Sequence, residues 1–158
     1  EKKYAPLIGR LLINFSRLEH CLNYEIAERI SDRAHSEGYL IIEKLTIRNK
    51  IDLFYNLYLT FIGYFQKNYS FKKRLNSIKK QLYSTNAFRN NIAHANWESL
   101  TKDNFVRTKI MIDNEEGYIK FKKIEMTLRI IKSEIQTIKK LILTIENFTE
   151  SANKLMNS

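Results

Sequence analysis

An arginine and a histidine lie five residues apart in the stretch "AFRNNIAHANW", which runs from Ala87 to Trp97. Histidine titrates near neutral pH, so His94 can take a proton from one group and give one to another. The guanidinium of Arg89 can place two N–H donors on phosphate oxygens. Because RNA carries its own nucleophile in the 2′-hydroxyl, these two side chains are the least equipment that metal-free cleavage of a phosphodiester bond requires.

Arg89 occupies a position at which an apolar side chain is expected. The helical pattern before it has a stripe made of Phe71, Leu75, Ile78 and Leu82. The same spacing continues through residue 85 to Arg89. An arginine on such a stripe is either paired with a buried acid or directed towards a cleft or an interface. Glu19 lies close to the apolar stripe of the first helical pattern, so it is the first candidate for a site residue that holds Arg89; a core acid with another partner is the alternative.

His94 lies about 140° away from Arg89 around an unbroken helix, so the two side chains do not share a face. They converge only if the helix kinks or ends near Asn90–Asn91, or if a second subunit supplies one of them. Asparagine side chains compete for backbone hydrogen bonds, which makes a break at this point reasonable. Asn90 is interpreted either as a residue that binds substrate or orients His94, or as one that terminates the helix.

Helical periodicity extends over the first two-thirds of the chain. The first helix is predicted from about Ala5 to Ala34, and Gly38 follows the polar stretch that ends it. A short helical piece comes next, and then a second long helix with Thr46 as its N-cap. A third helix, capped by Ser70, leads into the stretch that contains Arg89 and His94.

The period of the apolar residues changes after Trp97. The segments "FVRTKIMI" and "YIKFKKI" alternate as strands do, and the turn-forming cluster "DNEEG" separates them. They predict a small β-hairpin at about residues 105–123. The last helix is predicted to begin near Glu125, and the final segment "SANKLMNS" is predicted to fray.

These elements predict one all-α domain over residues 1–158. The expected architecture is a bundle of about five helices with the β-hairpin inserted before the last one. The chain has four glycines and one proline, which is fewer turn-forming residues than a β-sandwich or a dinucleotide-binding fold requires. No repeat, linker or low-complexity segment indicates a domain boundary.

The chain carries a large excess of positive charge. Lys and Arg number 27 against 17 Asp and Glu, which gives a formal net charge of +10. Such a surplus favours a polyanionic partner such as RNA, although high solubility is the simpler explanation. The candidate RNA contacts are Lys50, Lys72, Lys73, Lys79, Lys80 and, as a base-stacking side chain, Trp97. For the lysines the alternative is a solvated helix face, and for Trp97 it is core packing.

The remaining residue types argue against several other kinds of site. Cys21 is the single cysteine, so an internal disulfide is impossible and a buried small side chain is expected. The three histidines and this cysteine lack zinc-ligand spacing, and no phosphate-binding loop or dinucleotide motif is present, so neither a metal nor a cofactor is expected. No apolar run is long enough to span a membrane, and the protein is expected to be cytoplasmic with no membrane partner.

The segment "RNNIAH", from Arg89 to His94, resembles the Arg-x4–6-His motif of the HEPN superfamily, in which a polar residue commonly follows the arginine. Two further features are similar. The first helix has an apolar-Leu-Glu pattern, here "FSRLEHCL", and a lysine leads an apolar helix, here Lys50 in "TIRNKIDLF". The similarity covers most of Pro6 to Trp97 and extends to the last helix as architecture, and the hairpin looks like an insertion.

The resemblance implies a helical bundle that forms a homodimer and brings two copies of the motif into one cleft. Many members are metal-independent endoribonucleases of toxin–antitoxin pairs, abortive-infection systems and other antiviral defence. For this chain the implied reaction is RNA cleavage by Arg89 and His94, which leaves 2′,3′-cyclic phosphate and 5′-hydroxyl ends. A restraining partner is also implied, either a cognate antitoxin of nucleotidyltransferase type or a sensor protein. Other members are inactive, so a non-catalytic module that dimerises, or that binds nucleic acid or a partner, is the alternative.

Overall fold

Five helices and three strands form the described part of the chain. The structure is a computed structural model that describes residues 2–31, 35–64, 69–94, 96–99, 105–112 and 119–156; in the strands it describes the backbone, with the side chains of Ile119 and Met126. The helices are α1 (Ala5–Ile30), α2 (His35–Glu43), α3 (Ile47–Tyr64), α4 (Tyr69–Ala93) and α5 (Leu128–Met156). The strands are β1 (Asn96–Ser99), β2 (Phe105–Ile112) and β3 (Ile119–Met126).

The first helix begins where the sequence predicts. Pro6 lies in its first turn, where a missing backbone N–H costs nothing. Helical spacing predicts an apolar stripe of Tyr4, Ile8, Leu11, Phe15, Leu18, Leu22 and Ile26. All of these are buried except Ile8, which is half-buried, and Ala27 is buried as well. The helix ends at Ile30, and the predicted end at Ala34 lies outside the described residues.

The first helix ends before Gly38, as predicted, but Gly38 lies inside α2 and does not serve as a helix-ending residue. A Cβ atom at position 38 would lie 2.7 Å from the Cα of Ala27 on α1. The glycine is therefore selected by the close approach of two helix backbones. A helix-ending role and a helix-packing role both require glycine, and the sequence alone does not separate them.

Of the two predicted N-caps, that of α3 is confirmed and that of α4 is wrong. Thr46 caps α3 as predicted, because its Oγ1 accepts a hydrogen bond from the Asn49 backbone N–H at 3.3 Å. Ser70 does not cap α4, since the helix already begins at Tyr69. The helix then continues without interruption to Ala93, so the predicted option of a break near Asn90–Asn91 is not realised.

The last helix is displaced towards the C-terminus relative to the prediction. It begins at Leu128 rather than near Glu125, because the Thr127 Oγ1 accepts a hydrogen bond from the Ile130 N–H at 3.2 Å. The predicted fraying is wrong for Ser151–Met156, since the helix extends to Met156 and Ala152 is fully buried; residues 157 and 158 lie outside the described residues. Its buried apolar positions are Ile131, Ile135, Ile138, Leu141, Ile145 and Phe148.

The helices α1 and α3 run in the same direction. The Glu19 carboxylate on α1 accepts a hydrogen bond from Lys50 on α3, and the Glu25 carboxylate accepts one from Tyr58, so residue numbers rise together along the two helices. The first turn of α3 therefore lies beside the middle of α1.

The helix α4 runs antiparallel to α3. Tyr55 donates a hydrogen bond to Asn76, and Tyr83 donates one to Asp52, so higher numbers on α4 lie beside lower numbers on α3. The end of α4, which carries Arg89, is consequently near the beginning of α3 and near the middle of α1, where Phe15 lies. With α5 packed against α1 and α4, the predicted helical bundle is confirmed. No helix among the described residues has the length and apolar character needed to cross a membrane.

A three-stranded antiparallel sheet connects α4 to α5 along the chain. Its strand order is β1-β2-β3. Asn96 pairs with Thr108 between β1 and β2, and Phe105 pairs with Met126 between β2 and β3. The first strand, which contains Trp97, has no counterpart in the sequence prediction.

Candidate functional site

The side chain of Arg89, near the end of α4, contacts the Phe15 ring and the side-chain amide of Asn90. Its side chain is half-buried, and its Cζ lies 5.5 Å from the centroid of the Phe15 ring on α1. One guanidinium nitrogen, Nη1, donates a hydrogen bond to Asn90 Oδ1 at 3.0 Å. The Nε is buried and has no hydrogen-bond partner. A stacked, fork-shaped cation with spare donors is suited to hold a planar or tetrahedral anion.

The acid that was expected to pair with Arg89 pairs with a different cation. Glu19 Oε1 lies 2.7 Å from the Nζ of Lys50, which is a hydrogen-bonded ion pair between α1 and α3. The interpretation of Glu19 as the residue that holds Arg89 is therefore corrected. Among the described residues no carboxylate oxygen lies within 4.0 Å of an Arg89 nitrogen, so the guanidinium charge is not neutralised within this part of the chain.

Lys50 is not a solvated lysine. Its side chain is 7% exposed, whereas that of Glu19 is 34% exposed. A buried ammonium needs a close counter-charge, and the Glu19 carboxylate supplies it. Lys50 was predicted as a candidate RNA contact, but its ammonium group is already paired with Glu19.

His94 is exposed immediately after the last residue of α4. Its backbone N–H donates to the Asn90 carbonyl at 3.1 Å, so the backbone still follows the helical hydrogen-bond pattern at this point. The imidazole therefore lies about 140° around the helix axis from Arg89. The structure of the single chain shows no hydrogen bond between these two described side chains, and it does not bring them together.

Asn90 acts on the arginine in this structure. Its side-chain oxygen accepts the hydrogen bond from Arg89, and its backbone oxygen accepts the one from His94 N–H. It does not terminate the helix, which continues for three further residues to Ala93. The side chain of Asn90 is consequently a positioning group for the guanidinium.

The predicted basic face of α4 is only partly free. Lys72, Lys73 and Lys80 are exposed. The Nζ of Lys79 lies 2.9 Å from Asp52 on α3 and 4.1 Å from the centroid of the Tyr55 ring. The hydrogen bond to Asp52 raises the pKa of Lys79. The side chain of Trp97 lies outside the described residues.

Unpaired polar atoms cluster on α4 beside Arg89. The Oγ1 of Thr85 and the Oδ1 of Asn86 are buried without a hydrogen-bond partner, as is the Nε of Arg89. Most buried polar atoms in folded proteins are paired, because an unpaired one costs about 1–3 kcal/mol. Three of the four such atoms in the described part of the chain lie within two turns of α4, and the fourth is the Oδ1 of Asn23 on α1.

Glu25 is a buried acid that the sequence analysis overlooks. Its side chain accepts a hydrogen bond from Tyr58 at 3.3 Å, and burial raises the pKa of its carboxyl group. The signal was present in the spacing: buried α1 positions 11, 14, 15, 18, 22, 25 and 26 include Asn14 and Glu25 when the full width of the helix face is counted. This carboxylate joins α1 to α3 on the side of the bundle away from Arg89.

Metal and thiol chemistry have no candidate residues in the described parts of the chain. Within them no group of three or more His, Cys, Asp or Glu side chains is placed to hold a metal ion. Burial raises the pKa of the Cys21 thiol to about 12, so the reactive thiolate is suppressed at neutral pH. This agrees with the predicted role of Cys21 as a packed side chain.

Comparison with known protein families, with curated proteins and with solved structures finds no match to this chain. The residues that can do chemistry are therefore those that the geometry identifies. They are a guanidinium at Arg89 with no carboxylate partner among the described residues, the Asn90 side chain that accepts its hydrogen bond, and a separate, exposed imidazole at His94.

Proposed function

We propose that this protein is a metal-independent endoribonuclease of the HEPN type that acts as a homodimer. The observation that carries the proposal is the setting of Arg89, a half-buried guanidinium stacked on Phe15 with no carboxylate partner among the described residues. An internal acid is available nearby in Glu19, but it pairs with Lys50. A phosphate group of RNA is an anion that would complete the environment of Arg89.

The reaction uses the 2′-hydroxyl of RNA as the nucleophile. His94 removes its proton as the oxygen attacks the adjacent phosphorus, and the imidazolium that results gives a proton to the departing 5′-oxygen. Arg89 donates hydrogen bonds to the phosphate oxygens as negative charge develops on them. The P–O5′ bond breaks, and the products are a 2′,3′-cyclic phosphate and a 5′-hydroxyl.

A second subunit resolves the separation of the two residues. Since α4 is unbroken between them, Arg89 and His94 of one chain point in directions about 140° apart. A two-fold axis near the end of α4 would bring His94 of one protomer beside Arg89 of the other, and the dimer would then hold two such Arg–His sites. The exposure of His94 is consistent with contact across such an axis.

The resemblance to HEPN proteins supports a role as a toxin or as an effector of antiviral defence. A nuclease of this kind must be restrained in the cell that makes it. The expected partner is a cognate antitoxin of nucleotidyltransferase type or a sensor protein.

The proposal is tested by incubating purified protein with labelled RNA in EDTA. Arg89→Ala and His94→Ala are each expected to lower the cleavage rate by about 10²-fold or more, because each removes a group that acts in the transition state. Arg17→Ala and His20→Ala are matched controls, since both residues are exposed on α1. Cleavage that persists unchanged in both site variants would eliminate the proposed site.

The second candidate function is a non-catalytic helical module that binds RNA or a partner protein. It is favoured by the separation of Arg89 from His94 in the single chain. It predicts that no form of the protein cleaves RNA, that binding is unaffected by His94→Ala, and that charge reversal at the exposed Lys72, Lys73 and Lys80 weakens binding.

A further inference from the structure

A basic groove lies between α1 and α5, on the side of α1 next to Phe15. Its volume is about 510 Å³, and four cationic side chains line it: Arg10 from α1 and Arg129, Lys132 and Lys139 from α5. Its floor includes the apolar side chains of Leu7 and Ile135. The described residues that line the groove include neither Arg89 nor the lysines of α4.

The charge of this groove is not neutralised within the described parts of the chain. No carboxylate lines it, and none of its four cations takes part in an ion pair among the described residues. All four are exposed. Like charges held close together repel one another, so an anion that enters the groove relieves this repulsion.

The spacing of the cations fits a ligand with several phosphates. Arg129, Lys132 and Lys139 lie three and seven residues apart along one side of α5, with Gln136 between the lysines. This row extends over about 15 Å at 1.5 Å per residue. A single small anion contacts one or two of these side chains at a time, whereas a chain of phosphodiesters follows the whole row.

The other polar side chains of the groove favour the sugar–phosphate backbone over the bases. Gln136 presents an amide group and Ser133 a hydroxyl, whereas Asn14 is buried and its Nδ2 already donates to the Arg10 carbonyl. No aromatic side chain is among the described lining residues, so these residues offer no platform on which a base can stack. Recognition of this kind does not depend on sequence.

The groove also lies next to the proposed cleavage site. Asn14, which lines it, precedes Phe15 in the chain, and Arg89 lies over the Phe15 ring at 5.5 Å. Successive residues of a helix are about 100° apart, so the groove and the setting of Arg89 occupy adjoining faces of α1.

We infer that the α1–α5 groove binds the phosphate backbone of the RNA substrate beside the scissile bond, through Arg10, Arg129, Lys132 and Lys139. This inference rests on the proposed function, because it assigns a substrate-binding surface to the same enzyme. The groove supplies affinity, and Arg89 and His94 supply the chemistry.

The experiment measures binding of a short, fluorescein-labelled 2′-O-methyl RNA by anisotropy at several salt concentrations. The probe lacks the 2′-hydroxyl nucleophile, so the wild-type protein can be used without cleavage. The double variant Lys132→Gln, Lys139→Gln is expected to bind several-fold more weakly at low salt. The slope of log K against log salt is expected to fall by about 1.4, which is roughly 0.7 for each lost phosphate contact of a single strand.

The matched control is Lys44→Gln, Lys140→Gln. Both lysines are exposed, the change in net charge is identical, and Lys140 lies on α5 outside the groove. Equal weakening by the two double variants would overturn the inference, since it would show that net charge alone determines binding. Displacement of the probe by polyglutamate as effectively as by unlabelled RNA would also overturn it, because the groove would then fit an acidic protein segment.

The binding and cleavage experiments distinguish an error in the groove inference from an error in the proposed function. If the nuclease proposal is wrong, wild-type protein does not cleave unmodified RNA, while the binding experiment still reports on the groove. If the groove does not bind RNA, the Lys132→Gln, Lys139→Gln variant binds the probe as the control variant does, while cleavage remains sensitive to His94→Ala.

Discussion

At the scale of single residues, the decisive feature is which cation Glu19 neutralises. Lys50 is 7% exposed and has Glu19 at 2.7 Å, whereas the half-buried Arg89 lies against the Phe15 ring. An isolated ammonium in the interior costs more than a guanidinium that keeps some contact with solvent and an aromatic face. The ion pair thus stabilises the fold and leaves the charge of Arg89 available for a ligand.

The two ends of this ion pair are expected to respond unequally to substitution. Glu19→Gln leaves a buried ammonium without a counter-charge and is expected to lower the free energy of unfolding by about 2–3 kcal/mol. Lys50→Met keeps the packing of the side-chain stem and leaves a carboxylate that is 34% exposed, so its cost is expected to be below about 1 kcal/mol. Urea unfolding measures both, and a larger loss from Lys50→Met would contradict the account.

Residue partners were the least predictable part of the site. The sequence places Glu19 and Arg89 on the inner faces of two helices, but the partner of each depends on which helices are neighbours. In the structure α1 and α3 are parallel neighbours, so Lys50 on α3 lies beside Glu19 and forms the ion pair with it. A histidine and an arginine five residues apart, by contrast, could be assigned to different sides of a helix from the spacing alone, and the continuous helix to Ala93 agrees with that.

At the scale of elements, Gly38 sets how closely α2 packs against α1. A Cβ at this position would approach the Cα, Cβ and carbonyl oxygen of Ala27 to 2.7, 2.9 and 2.9 Å. Two of these atoms belong to the backbone and cannot rotate away. Any side chain at position 38 must therefore move one helix away from the other.

Gly38→Ala is expected to destabilise the protein by about 1–3 kcal/mol, because relief of the clash requires separation of α2 from α1. Gly9→Ala is the matched control. A Cβ at Gly9 meets nothing within 4 Å, so alanine there is expected to stabilise α1 by up to about 1 kcal/mol. Thermal unfolding followed by circular dichroism compares the two, and a stabilising Gly38→Ala would show that the helices are not in close contact.

Helix positions and apolar faces were predictable to a large extent because period and capping are local properties. The stripe from Leu11 to Ile26 is buried as expected, and Thr46 caps α3. The errors arose where a local signal has two meanings. Gly38 ends a helix in one context and permits close packing in another, and the terminal segment is polar yet continues a helix whose Ala152 is buried.

At the scale of the whole molecule, the direction of the helices gathers the candidate chemistry at one end. The end of α4, the beginning of α3 and the middle of α1 meet there, and the basic part of α5 borders the same region of α1. The opposite end holds the buried Glu25 and the aromatic contact between Phe71 and Phe148, which stabilise the bundle. The sequence does not predict that these two groups of residues lie at opposite ends, because this depends on which helices run parallel.

A composite site across two subunits is expected to show complementation. Arg89→Ala protein and His94→Ala protein are each expected to be inactive alone. After mixing and refolding together, half of the dimers are mixed and each has one of two sites intact, so about a quarter of wild-type activity is expected. Labelled RNA in EDTA measures the recovery. An inactive mixture that contains verified mixed dimers would rule out a site assembled across the subunit boundary.

The position of His94 between a helix and a strand has a consequence for control. One neighbour is Ala93, the last residue of α4, and β1 begins two residues later at Asn96. Arg89 is fixed inside the helix against Phe15, but the imidazole follows any rotation of the polypeptide that leads into the sheet. A regulator that binds the strands would thus misalign the proposed acid–base group, His94, while the proposed phosphate anchor, Arg89, keeps its place. Such an inhibitor would arrest turnover and leave RNA affinity intact.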